Sequence, residues 1–441
     1  MGRCWYNRTI KQFEKKTNVN ISKTDINDFR TRRNKILKYL GSSSLLVLLA
    51  STEKERNNGI NYPYRQNSNF HYLTGFNEPL SAVVFFKNEV YFFCRKKNKE
   101  YEQWNGKLIG PSIAKTVFEF NYAYDISNFE EKIKKFIKSS NKVYLDFSDR
   151  DNFKYINKFI VNNLTNGKNR NLECIYDANL LISRYRQTKS SNEIKIIKKS
   201  CEIAALAHIA AMKKCKPGLN EFDLENEICW TFGNYNARYN SYPPIVASGK
   251  NACILHYTSN NDVIKNNSII LIDAGCEYKM YASDITRSFP VNGKFTNFQK
   301  DIYSLVLKAQ SEALKKMKIG NFISEFHNTA VKVICDGLRD LKIIKKSSDE
   351  ILEKKLYLKY YMHGTGHFLG LDVHDVGMYT INNKPIRLKK GMVITLEPGL
   401  YMNQKNIGIR IEDDILIDND GPIVLTKDAP KSISKIEEIC S

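Results

Sequence analysis

Short apolar blocks alternate with polar, lysine-rich stretches through the first 185 residues of the chain. Residues 44–50, 82–86, 90–94 and 142–147 are apolar runs of strand length, and segments such as 129–139 carry hydrophobic positions at helical spacing. This alternation predicts an α/β domain. Around residues 187–191 the chain turns polar, and Ser190 followed by Glu193 is a capping box in which both side chains satisfy backbone N–H groups of a first helical turn. The long helix it opens carries Ile194, Ile197, Cys201, Ala204, Ala205 and His208 on one face and is stopped by Pro217-Gly218. The domain boundary is expected here, and His208 on that apolar face reads as a core histidine. Beyond residue 219, helices expected over 223–230, 299–317 and 324–341 alternate with strands over 268–274, 392–397 and 407–417.

Two of these stretches share a grammar. In the first, an apolar run ends in Asp273-Ala-Gly275 and a second strand, 281–289, carries Asp284. In the other, residues 392–396 lead to Glu397-Pro-Gly399, and the run 407–417 carries Glu412. Each is a strand, a turn and a strand with two acids. An ionised carboxylate in an apolar strand costs several kcal/mol, and two close together need a compensating cation. Ion pairs with Arg287 and Arg410 alone do not account for four embedded acids, because surface pairs contribute little. Two such hairpins point to a metal.

Between them lies His363-Gly-Thr-Gly-His367, followed by Asp372-Val-His374-Asp375, and four of the seven histidines (His256, His363, His367 and His374) fall in this region. Gly364 and Gly366 disfavour a zinc-protease helix, and no Glu follows His363. Those glycines are expected to let backbone pass close to a metal or substrate. Four carboxylates and one imidazole make a hard, oxygen-rich set that suits Mn2+ and can hold two metals, an arrangement that activates water and clamps a carbonyl oxygen.

Composition narrows the remaining possibilities. With 441 residues, 42% hydrophobic and 26% charged, the chain has room for two or three domains and a sizeable core. The apolar run 45–50 is far shorter than the ~20 residues of a membrane helix. Net charge is +21, but 51 of the 68 basic residues are Lys and 17 are Arg, which speaks against specific nucleic-acid readout. Gly249-Lys250 lacks the rest of a phosphate-binding loop. Ten cysteines occur singly with no CxxC pair, as expected of reduced thiols rather than structural zinc. A cytoplasmic protein is expected, or a mitochondrial one if basic residues 1–24 act as a transit segment. The start Met1-Gly2 lacks the Ser or Thr of a myristoylation signal at position 6.

The ordered set of motifs resembles the aminopeptidase P (Xaa-Pro aminopeptidase) group of pita-bread metallopeptidases, from about Phe29 to the C-terminus. The resemblance is carried by Asn61-Tyr-Pro-Tyr-Arg-Gln-Asn-Ser-Asn-Phe70, Thr74-Gly-Phe-Asn-Glu-Pro79, Ile254-Leu-His-Tyr-Thr258 and Ile272-Asp-Ala-Gly-Cys-Glu-Tyr278. It continues in Ser283-Asp-Ile-Thr-Arg287, residues 362–377, Leu396-Glu-Pro-Gly-Leu-Tyr401 and Gly408-Ile-Arg-Ile-Glu-Asp-Asp414. It implies an α/β (α+β) protein with a basic extension over 1–28, a creatinase-like α/β domain over 29–185 and a pita-bread catalytic domain over 186–441. The implied metal ligands are Asp273, Asp284, His367, Glu397 and Glu412, with Asp284 and Glu412 bridging two Mn2+ ions per subunit, Co2+ or Zn2+ being alternatives.

The implied reaction is attack by metal-activated water on the bond before proline, with Glu397 relaying the proton and His256, His363 and His374 orienting substrate and stabilising charge. Tyr242, Arg410 and Trp104 match positions that border the substrate in relatives; Tyr242 also fits a packed aromatic, and Trp104 a subunit contact. Expected partners are peptides with an N-terminal Xaa-Pro and further copies of the chain, as a dimer or tetramer, with no specific nucleic acid and no membrane. The competing readings are a prolidase acting on Xaa-Pro dipeptides and a non-catalytic pita-bread binding protein. The tyrosine-rich segment 61–70 and Trp104 favour the aminopeptidase, and five intact ligands oppose the binding protein.

Overall fold

In the computed structural model, which describes residues 21–166 and 171–441, the chain divides into two compact units between Tyr185 and Arg186. Basic residues 1–20, with Cys4, lie outside the described residues. The first described helix, Lys23–Leu40, runs through residue 28, so the stretch just before 29 is already part of an ordered element. Its capping box uses Ser22 and Asp25.

The first unit is a six-stranded mixed sheet. Its central strand Ser44–Leu49 pairs antiparallel with Ala82–Phe86 and parallel with Lys142–Leu145. Glu89–Cys94 and Tyr122–Asp125 extend one side, and Cys174–Asp177 the other. The hairpin from Phe86 to Glu89 turns on Lys87 and Asn88, both at positive φ (49° and 61°), the mirror-image turn that matches strand twist. One face packs on helices Phe129–Lys138 and Arg150–Asn166, with Val47, Val84, Phe93, Ile133 and Ile160 all but fully buried. Each such side chain contributes about 1.5–3 kcal/mol by leaving water.

The second unit repeats one pattern twice. Strand Ile269–Asp273 pairs with Thr286–Pro290, and a short hairpin, Cys276–Tyr278 with Tyr281–Ala282, is inserted between them. Strand Val393–Leu396 pairs with Asp413–Asp418 around the hairpin Gly399–Met402 with Ile407–Arg410. Helices Ser191–Lys214 and Glu221–Asn234 pack together, as do Asn297–Leu314 and Ser324–Asp340, and all four share one core with the strands. Ser190 and Glu193 form the expected capping box, and His208 is wholly buried, its Nε2 3.0 Å from the Ala274 carbonyl oxygen.

The expected continuous strands 281–289 and 407–417 are each interrupted. Residues 283–285 and 411–412 leave the ladder, and these breaks hold Asp284 and Glu412. Ile407, Ile409, Ile411, Ile415 and Ile417 keep an alternating pattern running across the second break, so periodicity alone does not reveal it. At the first break Gly275 is obligatory, since a Cβ there would stand 1.8 Å from the Ser283 carbonyl oxygen. The nine cysteines among the described residues are all free, and no described helix is long and apolar enough to cross a membrane.

Candidate metal centre and active site

The strand ends and breaks aim their acids into one cavity of about 490 Å³ in the second unit. Tyr242, His256, Asp273, Asp284, His363, His367, His374, Glu397, Arg410 and Glu412 all line it. Ten of the eleven residues singled out from the sequence are thus brought together. Trp104 is the exception: it lies in the first unit on helix Lys99–Asn105 and is 85% exposed.

Asp273 sits at a strand end, and its Oδ2 accepts from Arg410 Nη2 at 2.6 Å. Its Oδ1 and Oδ1 of Asp284 each lie 2.5 Å from the Tyr242 hydroxyl, which has one proton to donate to two acids. His367 Nε2 stands 3.4 Å from Asp284 Oδ2 and 3.7 Å from Glu397 Oε1. The other ring nitrogen, Nδ1, lies 3.0 Å from the Phe368 carbonyl oxygen; a proton held there leaves Nε2 free to face the acids. Asp284, His367 and Glu412 each offer one ligand atom, all within 4.8 Å of one another.

Among the described residues, Arg410 is the permanent cation beside these four carboxylates and His367 the imidazole nearest to them. Burial pushes Glu412 well above the usual carboxylate range, with Asp284, Glu397 and Asp273 adding to the shift. Burial likewise raises Glu397 to about 7 and Asp273 to about 6, against the pull of nearby cationic groups. Asp284 is also opposed by burial, yet its bond to His367 holds it below its ordinary value. Burial lowers the His367 pKa, but the hydrogen bond and charge of Asp284 outweigh it and carry the imidazole up to about 9. A buried cluster with more acids than cations, all hard donors, fits divalent metal. Loading with Mn2+ or Zn2+ is therefore expected to release protons and to tighten as pH rises. Calorimetric titrations in two buffers of different ionisation heat check this; identical heats would count against it.

Several supporting residues carried no signal in the sequence. Thr286 Oγ1 donates to Glu412 Oε2 at 2.7 Å and accepts from Arg410 Nε at 2.9 Å. Arg410 Nη1 donates to the Tyr401 hydroxyl at 3.0 Å, and that hydroxyl lies 2.8 Å from His363 Nε2. With His363 Nδ1 2.7 Å from the Gly364 carbonyl oxygen, one consistent chain runs from Arg410 through Tyr401 to a neutral imidazole. Burial, followed by the Arg410 charge, lowers the His363 pKa to about 4. Behind the acids, Asp414 Oδ2 accepts from the Asp284 backbone N–H at 3.0 Å and from Cys201 Sγ at 3.3 Å. Thr286, Tyr401 and Asp414 sat inside the quoted motifs, but their residue types alone did not distinguish them from neighbours.

Both glycines of the histidine loop line the cavity. A Cβ on Gly366 would stand 2.0 Å from the Thr395 carbonyl oxygen, so the loop backbone there passes close to the neighbouring strand. Gly364 lines the cavity with nothing within 4 Å of where a Cβ would be. Arg287, one of the two cations considered for ion pairing, is wholly buried against Asp413 and pairs with none of the four acids.

Residues 195–419 match the model of metallopeptidase family M24, and residues 29–144 that of the aminopeptidase P N-terminal domain. An Xaa-Pro aminopeptidase of Haemophilus influenzae is 40% identical over 426 residues, covering 93% of this chain and 96% of that protein. The chain belongs to metallopeptidase family M24. Within the family it has the aminopeptidase P make-up of two domains, the catalytic one a pita-bread fold, and it is a metalloaminopeptidase. The structure of Escherichia coli aminopeptidase P in complex with substrate is similar at TM-score 0.91 and 37% identity, covering 96% of this chain and 99% of that one. A Pseudomonas aeruginosa aminopeptidase gives TM-score 0.91 at 36% identity, covering 94% and 98%.

Proposed function

We propose that this M24 enzyme removes the N-terminal residue from peptides with proline in second position. The observation that carries the proposal is the convergence of Asp273, Asp284, His367, Glu397 and Glu412 on one buried cavity that neutral His363, with His256 and His374, also lines. These five side chains would hold two divalent cations, Mn2+ by preference of the oxygen-rich set, with Asp284 and Glu412 shared between them. Bound there, the cations supply Lewis acidity toward water and the scissile carbonyl.

The chain's own residues do the rest. Glu397, a carboxylate on the wall of the cavity, would take a proton and pass it on. Its Oε2 lies 3.7 Å from His363 Nδ1, which makes the two neighbours across the cavity without a hydrogen bond. His256, His363 and His374 orient the peptide; a ring N–H of His256 or His374 aimed at developing negative charge contributes about 3 kcal/mol, while both nitrogens of His363 are engaged by Gly364 and Tyr401. Tyr242 and Arg410 hold Asp284 and Asp273 in place. Exposed Trp104 is kept as an aromatic contact for substrate or a second copy of the chain. The free cysteines suit a reducing compartment such as the cytoplasm.

Proline matters because its amide nitrogen carries no hydrogen and its ring fixes φ, so a shaped pocket can select it. Metal-reconstituted enzyme is expected to release the first residue of Xaa-Pro-Xaa and to leave Xaa-Ala-Xaa nearly untouched. Equal rates on the two peptides would reject proline selectivity.

A further inference from the structure

We infer that Glu221 is a positioning residue whose buried carboxylate holds the loop bearing His256 over the cavity. The inference rests on the role proposed above for His256.

Glu221 is the first residue of helix Glu221–Asn234 and is wholly buried. A buried carboxylate needs partners, and among the described residues no cation bridges this one. Instead it accepts five hydrogen bonds, all from a single loop. Oε1 accepts from Ser248 N at 2.7 Å, Ser248 Oγ at 2.8 Å and Asn251 Nδ2 at 3.1 Å. Oε2 accepts from the Tyr257 hydroxyl at 2.9 Å and Asp262 N at 3.0 Å. The Glu221 backbone N–H adds a sixth tie by donating to the Asp262 carbonyl oxygen at 3.0 Å. One side chain thus joins the start, the middle and the end of residues 248–262.

His256 lies inside that span, next to Tyr257, and lines the cavity with Leu255 and Thr258. The imidazole is exposed and has no hydrogen-bond partner among the described residues, so its place over the cavity follows that of the loop backbone. Asn260 pins the far side of the loop through Val246 N and the Pro244 carbonyl oxygen; on the His256 side Leu255 and Tyr257 pack on a small apolar cluster, and Glu221 supplies the polar ties. An apolar residue at 221 could pack the helix equally well. Only a group accepting in several directions at once can close the loop.

Glu221→Gln keeps size and the acceptor facing Ser248 and Asn251, but sets an amide N–H against the Asp262 N–H. It is expected to lower kcat on Xaa-Pro-Xaa roughly tenfold, with KM and bound metal little changed, because misplacing one oriented group is costly in the transition state. If the loss acts through His256, the double variant E221Q/H256A is no slower than H256A alone. Tyr257→Phe, which removes one bond and is gentler on folding, should show a smaller loss that likewise vanishes beside H256A. A readout free of turnover separates this inference from the activity assignment. With histidine labelled at Cε1 and its seven signals sorted by H256A, the His256 resonance should shift or broaden in E221Q while those of His363 and His367 stay in place. Losses that multiply in the double variant, or a His256 signal unmoved in both E221Q and Y257F, overturn it. If the wild type fails to cleave Xaa-Pro bonds, the proposed activity falls while the resonance still decides the role of Glu221.

Discussion

Asp284→Asn is expected to lower turnover on an Xaa-Pro-Xaa peptide about 10³-fold or more, some 4 kcal/mol of transition-state stabilisation, while leaving the fold intact. The side chain occupies a strand break, with its backbone N–H held by Asp414 and its two oxygens facing Tyr242 and His367. Asparagine has the same shape, so packing is preserved. It lacks the charge, and its amide nitrogen must point a donor at either the tyrosine hydroxyl or the imidazole. A group proposed to be shared by two cations is thereby lost to both, and metal content should fall along with kcat. Steady-state rates, metal analysis and circular dichroism of the same preparation check the three parts. Near-normal turnover would remove Asp284 from the centre.

The largest effect on stability is expected from Arg287→Met. This guanidinium is wholly buried and donates to Asp413 Oδ1 at 2.7 Å and to the carbonyl oxygens of Thr286, Glu412, Ala429 and Pro430. Methionine fills the space but leaves a buried carboxylate with Lys431 as its remaining cation, 2.5 Å away. Breaking a buried pair from one side costs about 3–5 kcal/mol, readable as a lower midpoint in urea. The same pair sets a pH response. Burial opposes ionisation of Asp413, but Arg287 and Lys431 together hold its pKa below the ordinary value. A carboxyl depressed in the folded state contributes stability above its unfolded pKa of about 3.9 and loses it as pH falls toward the lower folded value. The wild type should therefore lose this contribution only in acid below that point, and a flat profile there would count against the pairing.

The two acid-bearing turns were legible because an apolar run that ends in a carboxylate and Gly is hard to explain otherwise, and residues 269–273 and 393–396 are strands with their acids at or just beyond the end. The long helix from Ser191 was legible for the same kind of reason, a capping box followed by a one-sided apolar stripe. What periodicity could not reveal were events that depend on partners far along the chain. The breaks at 283–285 and 411–412 arise because those residues serve the cavity and each other's backbone, as when Glu412 N donates to the Thr286 carbonyl oxygen. Glu221 looks like any acid at a helix start until Ser248, Asn251, Tyr257 and Asp262 are seen to converge on it. Tyr401 and Thr286 similarly acquire meaning only from Arg410, which touches both.

The repeated strand pair with its inserted hairpin has a genealogical consequence. Neither copy carries the four acids of the proposed centre by itself: one brings Asp273 and Asp284, the other Glu397 and Glu412. A half-length forerunner of this domain could have assembled an equivalent four-acid cage only by dimerising with its twin, and a fusion of the two halves would free each side to differ, as the aspartates of one and the glutamates of the other do.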